Sequence, residues 1–206
     1  MEPAYGSTRP RWVEILLSPT IAVSIVLILV YLIVGVAAGN LLEPLQPIPL
    51  VDLLVQCDNP LPIFPWTILT AIFLHVSPVH IASNLVFLLL FGFILQEQVP
   101  KSKWLATFFI TGVVGSVSFV LWDVAGYALT GFHNPNSFPD CAVGASGAVY
   151  GIIGTAVGLR GAIILILLFG LDIFAGGGTP AHLGGLAAGL ALRQYWSLAR
   201  RPFGGI

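Results

Sequence analysis

The stretch Gly161–Phe174, GAIILILLFGLDIF, decides how many times this chain crosses a membrane. As a helix its fourteen residues would reach ~21 Å at 1.5 Å each, short of the ~30 Å hydrocarbon layer. By length alone the segment reads as re-entrant. The basic residues argue for a full crossing. Five other apolar runs are present, at Pro19–Gly39, Val79–Leu95, Trp104–Ala125, Ala142–Leu159 and Pro180–Leu192. If all six span, Arg9 and Arg11 precede the first, Lys101 and Lys103 lie between the second and third, and Arg160 lies between the fourth and fifth. Arg193, Arg200 and Arg201 follow the sixth, so every Lys and Arg falls on one side, the cytoplasmic one. Without the fifth crossing, Arg193 to Arg201 would lie outside.

Composition agrees. Of 206 residues, 57% are hydrophobic and only 8% charged, against ~25% charged in soluble domains. The net charge of −1 points to no nucleic acid. Pro19–Gly39 is longer than a signal-peptide core and no cleavage site follows it, so it reads as a retained span. The expectation is an all-α membrane protein with six transmembrane helices and both the N and C termini cytoplasmic. Residues 1–18 form an inner segment, 19–196 the membrane domain and 197–206 an inner tail. Two loops face outward, Asn40–Pro78 and Gly126–Cys141. The first is too apolar for a free loop, and residues 40–78 are expected to lie partly in the interface. Cys57 and Cys141 fall in these two loops, where a disulfide and two free thiols are both open.

The second, fourth and sixth helices all run inward from the outer face, and each carries polar residues in its first turns. His80 and Asn84 stand at i and i+4 on the second, Ser146 on the fourth, and His182 on the sixth. All four share one depth, within roughly 10 Å of the outer surface. Polar residues inside a membrane are costly and mark sites. Ser146 is a candidate nucleophile and His182 its base. The start of a helix favours negative charge near Ser146, and His80 and Asn84 offer donors for an oxyanion. Tyr150, one turn below Ser146, is placed to pack against an imidazole. Small residues, Gly147, Gly151, Gly154 and Gly158 on one helix and Gly184, Gly185 and Gly189 on another, allow close approach of the two.

Each feature alone has a structural explanation. A membrane serine usually bonds a carbonyl of its own helix, and polar residues such as His80 and Asn84 can act as interhelical glue worth ~0.6–2 kcal/mol. Their convergence at one level favours the catalytic reading. A metal site from His75 and His80 lacks an acidic partner and the helical HExxH pattern. An intramembrane aspartate pair of Asp123 and Asp172 rests on a weak "GLD" match.

"GASG" (Gly144–Gly147) with Tyr150, "AHLGGLAAG" (Ala181–Gly189) and "HVSPVHIASN" (His75–Asn84), in that chain order, resemble the rhomboid family of intramembrane serine proteases. The resemblance runs from about Trp66 to Leu192. It implies a rhomboid-like six-helix bundle with a Ser146–His182 dyad and no acidic third member. His80, Asn84, Gly144 and the Ser146 backbone N–H would line the oxyanion hole, and Tyr150 would stack on His182. It implies no metal or cofactor. The partners are transmembrane protein substrates, cut near the outer face, and membrane lipids; the expected location is a prokaryotic plasma membrane. The alternative is a non-catalytic protein of the same fold that binds membrane segments. Two departures stand out. Trp66-Thr67 replaces the Trp-Arg of many bacterial members, which changes how the first outer loop is anchored. Gln96, beside Glu97, replaces a frequent Glu. The fifth helix is short, and the glycine-rich Ala175–Pro180 after it reads as a loose gate.

Overall fold

A computed structural model of the chain describes residues 10–57, 64–130, 141–169 and 178–198. Among them the order is α1 (Arg11–Leu16), α2 (Pro19–Ala37), α3 (Pro49–Leu54), β1 (Gln56–Cys57), α4 (Thr67–Thr70) with a 3₁₀ turn at Ala71–Phe73, α5 (Pro78–Gln96), α6 (Lys101–Thr130), β2 (Cys141–Ala142), α7 (Ser146–Phe169) and α8 (Thr179–Tyr195). Among the described residues four stretches are long and apolar enough to cross a membrane: Pro19–Ala37, Pro78–Gln96, Lys101–Gly126 and Ser146–Ile163. The protein is an integral, multi-pass, mostly helical membrane protein. Asp172, half of Ala175–Pro180 and most of the inner tail, for which expectations were stated above, lie outside the described residues.

Local chemistry sets where the helices begin. Ser18 caps α2 by accepting the Ile21 N–H, with Pro19 as the first helical residue, and Ser77 caps α5 by accepting the His80 N–H, with Pro78 next. A proline at this position sacrifices no helical hydrogen bond and is already set to a helical φ. Outward faces such as Ile33, Val36 and Val79 are 61–78% exposed, as expected for side chains that face lipid rather than water.

Apolar lipid removes the hydrophobic incentive for helices to associate, so contact distance decides. A Cβ on Gly185 of α8 would overlap the Gly147 carbonyl of α7, and one on Gly189 would overlap the Gly151 carbonyl. Thr155 donates to the carbonyls of both Gly151 and Gly189 at 2.9 Å. From α6, Gly115 abuts the Ala181 carbonyl and Gly147. Three helices thus meet backbone to backbone beside Ser146 and His182. On the far side, the buried Trp104 donates its Nε1–H to the Gly92 carbonyl at 2.9 Å, and Thr20 donates to Gln96 at 3.2 Å.

Helix bounds differ from expectation in three places. The fourth helix starts at Ser146 rather than Ala142. Cys141 and Ala142 are drawn instead into an antiparallel pair with β1 (Gln56 opposite Ala142, Cys57 opposite Cys141), and Gly144 sits at φ 119°. The third helix runs on to Thr130 rather than Ala125. From Ser146 the fourth apolar run continues into the described part of the fifth, to Phe169, as one helical stretch kinked at Gly158, whose φ of 70° and ψ of −175° break the ladder. The carbonyls left open above that break are taken by neighbours. Arg193 of α8 donates to Thr155 O at 2.7 Å and Ala156 O at 3.0 Å, and Gln98 donates to Ala156 O at 3.0 Å.

The first outer loop is anchored after all, without an arginine. Trp66 Nε1–H donates to Leu53 O at 2.8 Å, Thr67 to Phe64 O at 2.6 Å, and Thr70 to Leu54 O at 2.8 Å. Leu50, Leu53, Trp66 and Leu69 of this loop are 38–49% exposed, which fits an interfacial position. Among the described residues no cysteine is free, and Cys141 is disulfide-bonded.

Candidate active site

Ser146 is the first residue of α7, where N–H groups have no partner within the helix. His182 lies in the first turn of α8. Because the two backbones touch through glycine, Ser146 Oγ and His182 Nε2 stand 2.8 Å apart. For the serine to donate to Nε2, the imidazole proton must reside on Nδ1. The Tyr150 ring stacks on the imidazole, with centroids 4.6 Å apart and planes 27° from parallel. This stacking fixes the ring's tilt.

His80 and Asn84 line the same cavity, about 550 Å³ in volume. One Asn84 amide N–H donates to the His80 carbonyl at 2.9 Å, one turn back in its own helix. That bond orients the carboxamide and leaves its second N–H for the cavity. Gly144 lies against the His80 ring. A Cβ there would fall 2.7 Å from Cε1, and the φ of 119° is one that L side chains rarely adopt. All the residues singled out from the sequence for one site, Ser146, His182, His80, Asn84, Gly144 and Tyr150, line this single cavity.

Two contributors, Ala71 and Gln56, were not singled out, and a third, His75, was expected only as support for the loop. His75, 1% exposed, accepts the Ala145 N–H on its Nε2 at 3.4 Å and meets the His80 ring edge-on at 5.1 Å. The Gly144 N–H donates to Ala71 O at 2.9 Å. Buried Gln56 donates to Ser116 O of α6 at 3.2 Å. The only sequence signal among these was the spacing of His75 five residues before His80; Ala71 and Gln56 act through contacts distant in sequence and left no pattern.

His75 lies in the loop before α5, and burial, helped by the neighbouring His80, pushes its pKa down to about 3, against the opposing pull of the Phe73 backbone. The folded state therefore holds a neutral His75, as an acceptor for Ala145 N–H must be. Between pH 6.5 and about 3 the unfolded chain binds a proton that the folded one refuses, so stability falls as pH falls through that window. From pH 7 to 5 the loss is about 2 kcal/mol from this group. His75→Gln keeps an acceptor and cannot titrate. Denaturation in detergent should show the wild type losing about that much more stability than the variant over this range; parallel curves would contradict the assignment.

Residues 64–198 match the family model for the rhomboid domain. Rhomboid-like protease 3 of Toxoplasma gondii is 29% identical over 150 residues, covering 64% of this chain and 52% of its own length. RHOMBOID-like protein 1 of Arabidopsis thaliana is 29% identical over 143 residues, covering 62% and 33%. RHOMBOID-like protein 5 of the same plant is 26% identical over 143 residues, covering 62% and 42%. The chain thus spans about half the length, or less, of these relatives. All three are eukaryotic, so the expected prokaryotic plasma membrane draws no support from them.

Proposed function

This chain belongs to the rhomboid family, and on that premise we propose that it is an intramembrane serine endopeptidase that cuts transmembrane segments near the outer face. The observation that carries the proposal is the 2.8 Å contact between Ser146 Oγ and His182 Nε2, made between adjacent helices at the wall of a cavity. In this reading six helices span, with both termini inside. Residues 19–196 form the catalytic domain between the inner segment 1–18 and the tail 197–206.

His182 Nε2 takes the Ser146 proton as Oγ attacks the substrate carbonyl carbon. The negative oxygen is met by the Ser146 backbone N–H and by the side chains of His80 and Asn84, with Gly144 leaving room for it. The tetrahedral intermediate collapses, His182 returns the proton to the departing amine, and Ser146 is left acylated. Water entering from the outer side then gives its proton to His182 and its oxygen to the acyl carbon, freeing the serine. A substrate helix must unwind at the cut, because its carbonyls are otherwise occupied. Tyr150 holds the imidazole where other serine proteases use a carboxylate.

The test is labelling by a fluorophosphonate, together with cleavage of a single-pass substrate reconstituted in liposomes. Labelling at Ser146 and cut products are expected. A well-folded protein that neither labels nor cuts would instead be a binder of membrane segments.

A further inference from the structure

The loop that shapes the oxyanion site, residues 141–145, takes its anchors from the first outer loop. Gly144 N–H is held by the Ala71 carbonyl, Ala145 N–H by His75 Nε2, and Cys141 pairs in register with Cys57. Gln56, next to Cys57, is buried and fastened to the Ser116 carbonyl of α6. Each strand of this ladder is only two residues long, and a strand pair so short does not hold itself together. Cys141 is disulfide-bonded, and the chain has one other cysteine, Cys57. Cys141 is also exposed at the rim of the active-site cavity, where a reductant can reach it.

We propose that a Cys57–Cys141 disulfide is a positioning element for the oxyanion loop, so that reduction from the outer side lowers the rate of proteolysis without unfolding the protein. This rests on the protease reading above. The step balances: a dithiol gives two electrons and two protons to the S–S bond, yielding two cysteine thiols while the dithiol closes to its own cyclic disulfide. Freed of the covalent tie, residues 141–145 keep the two-residue ladder and the hydrogen bonds to Ala71 and His75, and Gly144 loses its fixed place against His80. The hydroxyl–imidazole pair is mounted on α7 and α8 and is untouched. Reduction therefore acts on the oxyanion, which exists in the transition state, and spares ground-state binding.

The experiment uses the full chain in liposomes, with and without a dithiol, at a temperature well below unfolding. Mass spectrometry follows the gain of two hydrogens, and circular dichroism follows the helices. Expected is a fall in kcat of about tenfold or more with KM unchanged, since loss of one oxyanion donor outright costs ~10²–10³. Reoxidation should restore the rate. The Cys57→Ser/Cys141→Ser double variant should sit at the reduced level and ignore the dithiol. Equal kcat in both redox states, or a loss that tracks loss of helix, overturns the proposal. Absence of both labelling and cleavage in the oxidised wild type instead overturns the protease reading, and this inference with it.

Discussion

Ser146→Ala is expected to lower the cleavage rate by a factor on the order of 10⁴ or more, with substrate binding retained. The reason is positional. Ser146 Oγ stands 2.8 Å from His182 Nε2, and alanine leaves the imidazole with no proton to take from a nucleophile. His182→Ala should cost about as much, because an unactivated serine is a weak nucleophile. The informative quantity is the double variant. Residues that act as one unit are not additive, so removing both should cost little more than removing either. Single-turnover rates of the three proteins in liposomes decide this. A double variant whose loss is the product of the two single losses would mean that the residues act independently, and the dyad assignment would fall.

Gly185→Ala is expected to be as damaging in a different way. The added carbon would meet the Gly147 carbonyl, a backbone atom that no rotamer change can move aside. Overpacking costs about 1–3 kcal/mol where neighbours can yield, and here the upper end or beyond is expected. The relief available is separation of α7 from α8. Gly147 adjoins Ser146 and Gly185 follows His182 by three residues, so that separation lengthens the contact between the reacting atoms. A shift of about 1 Å can cost ~10² in rate. Leu183→Ala, on a 47% exposed position two residues earlier, should leave both stability and rate nearly unchanged. Thermal denaturation in detergent and cleavage rates would check the pair; equal behaviour of the two variants would sink the argument.

What could be read from the sequence was what has a local or periodic signature. Ser146, His182, His80 and Asn84 were found because polar residues in apolar helices are conspicuous and because the depth of each could be counted from a helix end. Tyr150 followed from i+4 geometry, and the glycine stripes announced the α7–α8 contact. Other features lack such a signature. Gln56 and Ala71 matter through partners 60 and 73 positions away, Ser116 and Gly144, and nothing in their own neighbourhood says so. The third helix overran its expected end because hydropathy falls where the bilayer stops, whereas the backbone ladder continues as long as no residue breaks it. Nor did Gly158 show itself as a break. It looked like one more small residue in a packing stripe, and only its φ of 70° separates the two roles.

That break divides the load within the protein. The carbonyls of Thr155 and Ala156 are held by Arg193 and Gln98, so the nucleophile helix is terminated by its neighbours and not by the segment that follows it. Residues 161–169 hang from a single glycine pivot. In the proposed six-span reading this segment is the shortest span, on which a mismatched bilayer would press hardest, and rotation about Gly158 would take up that strain before it reached Ser146. In that reading bilayer mechanics would reshape the side of the cavity near Ala162 while the hydroxyl–imidazole pair, braced on α6 and α8, kept its spacing.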